Sequence, residues 1–261
     1  MNKQYEDEYN RQQAEIKKLQ DYIDKNKARA ATAGMANSRK KMLDRIEVMA
    51  KPLVEKDCTF NFPYIELNTK DMLITENLQV GYKSQLIPDV NLHLGSQSKI
   101  WIRGTNGVGK TTLIKTLLRK IPFLGGRFTF HPAAKIGYIE QDLNFDNKND
   151  PAYAVYQNAF PRASQKEIRS ALASVGIIGD LATKPVGNLS GGEMMRLKLA
   201  IMCQTPSNIL ILDEPTNHLD VKAKKALKEA ILCYDGALIL VTHEPDFAEG
   251  ICNTIVDIKG K

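Results

Sequence analysis

Nine consecutive residues, Gly104-Thr105-Asn106-Gly107-Val108-Gly109-Lys110-Thr111-Thr112, limit what this chain can fold into more than any other stretch. They fit G-x-x-x-x-G-K-[ST]. The preceding Lys99-Ile-Trp-Ile-Arg103 has the pattern of a short buried strand, and Leu113-Ile-Lys-Thr-Leu-Leu118 that of a helix. Strand, loop and helix in that order is the setting in which the motif cradles phosphate. Glycines at 104, 107 and 109 permit backbone conformations closed to other residues, so that successive N–H groups can point at one anion. A helix opening at Gly109 adds the positive end of its dipole. Lys110 is then expected to reach the β- and γ-phosphates, and the Thr111 hydroxyl to be a hard oxygen ligand for Mg²⁺.

A phosphate loop needs partners, and the chain offers them in order. Met72 to Val80 has a strand pattern followed by Gly81-Tyr82, where Tyr82 is either a half-buried sheet aromatic or a base-stacking ring. A strand is also expected over Thr59 to Leu67, a turn at Gly125-Gly126, and strands at Arg127 to His131 and Lys135 to Ile139. Gln141 follows the last of these, where a side chain can face a ligand bound over the sheet. Asp150 to Asn188 has helical periodicity, with Ala154, Val155, Ala159, Ile168, Ala171, Leu172 and Val175 inward, and predicts a small helical subdomain.

Leu189-Ser190-Gly191-Gly192-Glu193 then opens an amphipathic helix through Met194, Leu197, Ala200 and Ile201. Ser190 and Glu193 have the spacing of a capping box, which many helix starts share. Two glycines in the first turn are costly for capping alone and suit N–H groups that must meet an anion closely. Asn208-Ile-Leu-Ile-Leu212 is an apolar run typical of a central parallel strand, ending in Asp213-Glu214. Asp213 is placed to hold Mg²⁺ through water and Glu214 to polarise an attacking water; a strand that merely stops at a turn explains one acid better than two. Pro215 to Asp220 is expected as a tight loop, Ala223 to Leu232 as a helix, and Ala237 to Val241 as a buried strand leading to His243, beside the strand of Glu214.

Composition bounds the setting. With 43% apolar and 25% charged residues over 261 positions, the chain can build one large or two small domains. It has no run of eighteen apolar residues and its first thirty are charged, so neither a transmembrane helix nor a secretory signal is expected. Cys58, Cys203, Cys233 and Cys252 lack metal-site spacing, which fits a reducing cytoplasm.

Met1 to about Lys51 is rich in helix-favouring residues, with one glycine and no proline. Tyr5, Tyr9, Gln12, Ile16, Leu19 and Ile23 alternate by four and three, and a second stripe follows at Met35, Met42, Ile46 and Met49. Two such narrow faces predict an antiparallel hairpin about 35 Å long at 1.5 Å per residue. Lys25, Lys27, Arg29, Arg39, Lys40 and Lys41 cluster around its tip with no acid among them. The cluster is either a solvated loop or a probe for nucleic acid backbone, and it carries nothing that reads bases.

With these five elements in order, the chain from about Thr59 resembles an ATP-binding cassette domain. The resemblance implies an α/β P-loop fold with a mixed sheet core and a helical subdomain over about 150–203, within a cassette over 55–261. A two-helix coiled-coil hairpin over 1–54 precedes it. It implies that Tyr82 stacks on adenine, that residues 104–112 hold ATP, that Thr111, Gln141 and Asp213 serve Mg²⁺, and that Glu214, His243 and Gln141 act in hydrolysis. Ser190, Gly191 and Gly192 would bind the γ-phosphate held by another cassette, and Asp220 would lie in the loop between paired cassettes.

Within that superfamily Glu214-Pro-Thr-Asn-His-Leu-Asp220 and the upstream hairpin most resemble the F subfamily, cytoplasmic ATPases that act on the ribosome. Transporter cassettes usually lack both features. The implied partners are a second cassette, ribosomal RNA and tRNA, with a role in translation regulation or antibiotic protection of the ribosome. A single cassette preceded by a linker fits the carboxyl-terminal half of a longer protein, or a half-length protein that dimerises. The competing readings are the ATPase subunit of a membrane transporter and a nucleotide-dependent binding module with negligible turnover.

Overall fold

Ile209–Asp213 and Ala237–Val241 are buried at every position, which only a strand covered on both faces allows. They are two of the inner strands of the computed structural model, which describes residues 2–26, 33–44, 46 and 58–260. The chain divides into two compact units, Met1–Glu55 and Lys56–Lys261.

In the larger unit, β1 (Leu73–Gln79), β2 (His93–Leu94) and β3 (Lys99–Arg103) lead to α3 (Lys110–Leu117), β4 (Gly125–Phe130) and β5 (Ile136–Ile139). Four helices follow, α4 (Ala152–Ala159), α5 (Gln165–Ser174), α6 (Asp180–Thr183) and α7 (Gly191–Met202). The chain ends in β6 (Ile209–Asp213), α8 (Val221–Leu232), β7 (Ala237–Val241), α9 (Pro245–Ala248) and β8 (Thr254–Asp257).

Two sheets divide the strands. Five form a parallel sheet ordered β5-β6-β7-β3-β8, and three an antiparallel sheet ordered β2-β1-β4. The mixed character expected of the core is thus shared between two sheets. Leu212 pairs with Leu240, Ile139 with Leu212 and Ile102 with Val241, so the carboxyl ends of β3, β5, β6 and β7 reach one edge. Strand alternation splits the core. Leu210 and Leu212 join the helices through Tyr156, Leu172 and Leu197, whereas Ile209 and Ile211 join the antiparallel sheet through Leu73 and Ile114.

Several local expectations change. Thr59 to Leu67 makes no strand: Tyr64 forms one isolated bridge to Ser207, and Phe60 and Phe62 are buried in the helix-side core. Pro63 has no N–H to give a ladder, and its carbonyl instead accepts from Ser207. Gly125-Gly126 opens β4, where Gly126 (φ 76°) faces an irregular register in β1. α4 buries Ala152 and Tyr156 and leaves Ala159 exposed, a different phase from the expected face. α7 buries Met195, Leu197, Leu199, Ala200 and Met202, more than one face, because it packs on α4, α5 and β5 together.

In the smaller unit, α1 (Asn2–Asn26) spans about 37 Å at 1.5 Å per residue and packs on α2 (Ala33–Leu43). The Arg39 guanidinium lies 3.6 Å from the Tyr22 ring centroid, and Ile23 is buried. The second stripe does not form as expected. Met35 and Met42 are 56% and 60% exposed, Met35 keeping a contact of its sulfur with the Tyr22 hydroxyl of α1 at 4.0 Å, and Ile46 lies beyond the helix. Lys25, Lys40 and Lys41 are exposed. Lys27, Arg29, Met49 and the side chains of Tyr5 and Tyr9 lie outside the described residues.

Candidate active site

The loop after β3 is built by backbone geometry that only glycine holds cheaply. Gly107 (φ 76°) and Gly109 (φ 118°) are left-handed, and Gly109 caps α3 without a side-chain acceptor, leaving the first N–H groups of the helix directed outward. Gly104 serves packing: a Cβ there would stand 2.5 Å from the Ile258 carbonyl oxygen. The Lys110 ammonium donates to the carbonyls of Gly104 (2.8 Å) and Thr105 (2.9 Å), and burial holds its pKa down against the pull of Glu214 and Asp213.

Opposite it, β6 delivers Asp213 and Glu214. Glu214 takes a left-handed backbone (φ 53°), and its N–H donates to the Val241 carbonyl. Its Oε2 accepts from the His243 N–H at 3.3 Å, and its Oε1 lies 3.1 Å from His243 Nε2 without an aligned hydrogen bond. The same Nε2 is 3.1 Å from the Lys110 ammonium. Burial raises the Glu214 pKa, with His243 opposing.

Burial likewise raises Asp213, neither of whose oxygens has a hydrogen-bond partner. The Thr111 hydroxyl is near enough to oppose that rise, yet it donates to Gln141 Oε1 at 3.3 Å. Thr111, Gln141 and an unpartnered buried carboxylate are hard oxygen donors, and they fit Mg²⁺.

One cleft of about 600 Å³ gathers Asn106, Gly107, Gly109, Lys110, Thr111, Thr112, Gln141, Asp213, Glu214 and His243. Thr105 and Val108 belong to the same loop, outside the lining. Asn217 and Glu244 also line the cleft. Neither was a sequence candidate, though each sits beside one: Asn217 donates its N–H to the Glu214 carbonyl, and Glu244 follows His243 and pairs with Lys224 at 2.7 Å.

Tyr82, and the two positions expected to face another cassette, lie outside the lining of this cleft. Tyr82 is 64% exposed on the loop after β1, not a half-buried sheet residue, and the loop's Leu86 and Ile87 touch the Gly109 position. Ser190, Gly191 and Gly192 are outside the cleft. Ser190 is exposed and forms the full capping box with Glu193, so the capping reading of that spacing holds in the structure. The glycines have a reason within the chain: a Cβ on Gly191 would meet His218 Cγ at 2.7 Å, and one on Gly192 the His218 carbonyl at 2.5 Å. Asp220 caps α8 through Ala223 and pairs with Arg196 of α7 at 3.3 Å.

Residues 87–217 match the family described as ABC transporter, and residues 1–62 match a second family of the same description. The first match takes in half of the chain. This chain belongs to the ABC transporter family, as its ATP-binding domain. Domains of this kind bind ATP, usually with Mg²⁺, hydrolyse it, and work as dimers or with a second cassette.

Among curated relatives, the Bacillus subtilis ABC transporter ATP-binding protein YfmM is 39% identical over 94% of the chain, which covers 47% of YfmM. Protein GCN20 of Saccharomyces cerevisiae is 34% identical over 95% of the chain and 33% of its own length. The ABC domain therefore spans half or less of these relatives. The fold recurs in an ABC transporter ATP-binding protein from Pyrococcus furiosus, at TM-score 0.59 and 23% identity over 71% of this chain and 96% of that one. It recurs too in a bacterial Atm1-family ABC exporter with ATP bound, at TM-score 0.61 and 21% identity over 85% and 41%. Among the described residues of the ABC domain and its hairpin, no helix is long and apolar enough to cross a membrane.

Proposed function

We propose that this chain is the ATP-hydrolysing cassette of an F-subfamily protein acting in the cytoplasm on the ribosome, and that its site is completed by a second cassette. The observation that carries the reading is the helical hairpin immediately ahead of the cassette, with Lys25, Lys40 and Lys41 exposed on it. Cations concentrated on a thin prong suit phosphate backbone, here ribosomal RNA and tRNA, without sequence readout.

In the cleft, Lys110 and the amides of residues 105–112 hold the β- and γ-phosphates, and Tyr82 stacks on the base. Thr111, Gln141 and Asp213 would hold Mg²⁺, which when bound would supply neutralisation of phosphate charge. Glu214 takes the proton of the attacking water, its raised pKa matching it to that task. His243 orients Glu214 through the backbone N–H contact and faces the terminal phosphate with Lys110. Ser190, Gly191 and Gly192, exposed or half-exposed at the start of α7, cover the γ-phosphate of the partner cassette. Hydrolysis removes the group that bridges the two cassettes, so closure is reversible and the hairpin moves with it.

The test is Glu214→Gln in the full-length protein, with ATP. The variant is expected to bind nucleotide, to stop turning over, and to sediment with ribosomes. Fractionation with membranes instead would favour the transporter subunit, and nucleotide binding with no turnover in the wild type would favour a binding module.

A further inference from the structure

The bond between Gln141 and Thr111 is only as good as the placement of Gln141, which is exposed on the loop after β5. The residue before it supplies the anchorage. Glu140 places Oε2 at 3.3 Å from the Lys120 ammonium and Oε1 at 3.3 Å from that of Lys198. Lys120 follows the end of α3, the helix of the phosphate loop, whereas Lys198 lies on α7, the helix that Ser190 opens.

Lys198 also reaches the carbonyl of Asp142 at 3.5 Å, so one ammonium grips both neighbours of Gln141. The two arms are unequal. The Lys198 side chain is 14% exposed and that of Lys120 46%, so solvent screens the α7 arm less.

We propose that Glu140 is a positioning residue for Gln141, the middle of an ion bridge that makes the placement of Gln141 follow helix α7. The proposal rests on the hydrolytic reading above. A tilt of α7 at the cassette interface pulls Glu140 and Asp142 together, and Gln141 turns with them towards or away from Thr111. The cleft in this chain thereby senses whether its own α7 is engaged with the partner's nucleotide.

The test compares Glu140→Gln, Lys198→Gln and the exchanged pair Glu140→Lys with Lys198→Glu in the full-length protein. Steady-state turnover is read beside the affinity for a fluorescent ATP analogue with and without Mg²⁺. Glu140→Gln and Lys198→Gln should lower kcat on the order of tenfold, with KM rising only as far as the Mg²⁺-dependent affinity falls. They should also lose most of the affinity gained on adding Mg²⁺, with Mg²⁺-free affinity unchanged, and the exchanged pair should recover part of both. Unchanged kcat and Mg²⁺ gain in Glu140→Gln, or equal losses in the exchanged pair, would overturn the proposal. Glu214→Gln is measured alongside. If it keeps wild-type turnover, the hydrolytic reading fails, and the Mg²⁺ gain still decides the role of Glu140.

Discussion

Gly192 lies so close to His218 that a Cβ built on it would stand 2.5 Å from the His218 carbonyl oxygen. His218 itself is left-handed at φ 67°, in the loop between Glu214 and Asp220. The start of α7 is thus fitted against the loop that follows the cleft carboxylates. Gly191 meets the His218 side chain at Cγ, while Gly192 meets backbone. Gly191→Ala and Gly192→Ala are each expected to cost about 1–3 kcal/mol as overpacking, seen as a lower midpoint of denaturant unfolding. His218→Ala should restore much of the Gly191→Ala loss and none of the Gly192→Ala loss, because only the first obstacle is a side chain. Equal rescue of both would show that the fit is not what excludes a methyl group.

His243 Nε2 stands 3.1 Å from Glu214 Oε1 and 3.1 Å from Lys110 Nζ; a lone pair there would face the ammonium and a proton the carboxylate, and the one nitrogen cannot present both. His243→Ala should leave nucleotide binding within about threefold, since the phosphate loop is intact, and lower kcat by about 10²-fold, the scale of one acid–base group. Parallel losses in binding and turnover would place His243 in ground-state binding.

Tyr234 supplies a pH test of the core beneath residues 58–65. Its ring meets Phe62 and Tyr64 edge-on at 6.4 and 5.8 Å. Burial pushes its phenol from 10.0 up to about 12, against the Ser207 hydroxyl at 3.2 Å. The folded pKa exceeds the unfolded one, so this contribution is whole below pH 10 and is lost as pH rises through about 12. Relative to Tyr234→Phe, the wild type should lose roughly 1–1.5 kcal/mol of unfolding free energy between pH 9 and about 11. A difference that stays flat over that range would mean the hydroxyl is hydrated in the native state.

Replacing Lys25, Arg39, Lys40 and Lys41 with alanine should weaken binding to ribosomes and make it less sensitive to salt. If each contacts a phosphate, the slope of log affinity against log salt falls by about 3. Arg39, exposed like the lysines but held on the Tyr22 ring, should account for less of that change than they do. An unchanged slope would mean that the hairpin meets its partner through other groups.

Much of the fold was legible because it is encoded locally. The apolar runs of β6 and β7 announce strands buried on both faces, and the glycine spacing of 104–109 dictates its loop whatever surrounds it. Where a segment's conformation depends on distant chain, the pattern misled. The stretch at 59–67 has strand-forming residues but no neighbouring edge, so its side chains anchor it instead. The helix α4 turns a different face inward because α5, α6 and α7 all pack on it. Met35 and Met42 have the spacing of a seam and are nevertheless largely exposed.

The sequence by itself determined which chemical groups exist and in what order: a phosphate loop, a glutamine after a strand, a capped glycine start, two acids and a histidine, each legible within a few residues. Only the tertiary structure decided their pairings. It set His243 against Glu214, His218 against Gly191 and Gly192, and Glu140 between Lys120 and Lys198. Those contacts join residues tens of positions apart, and their distances follow from strand order and helix packing, which no local spacing records.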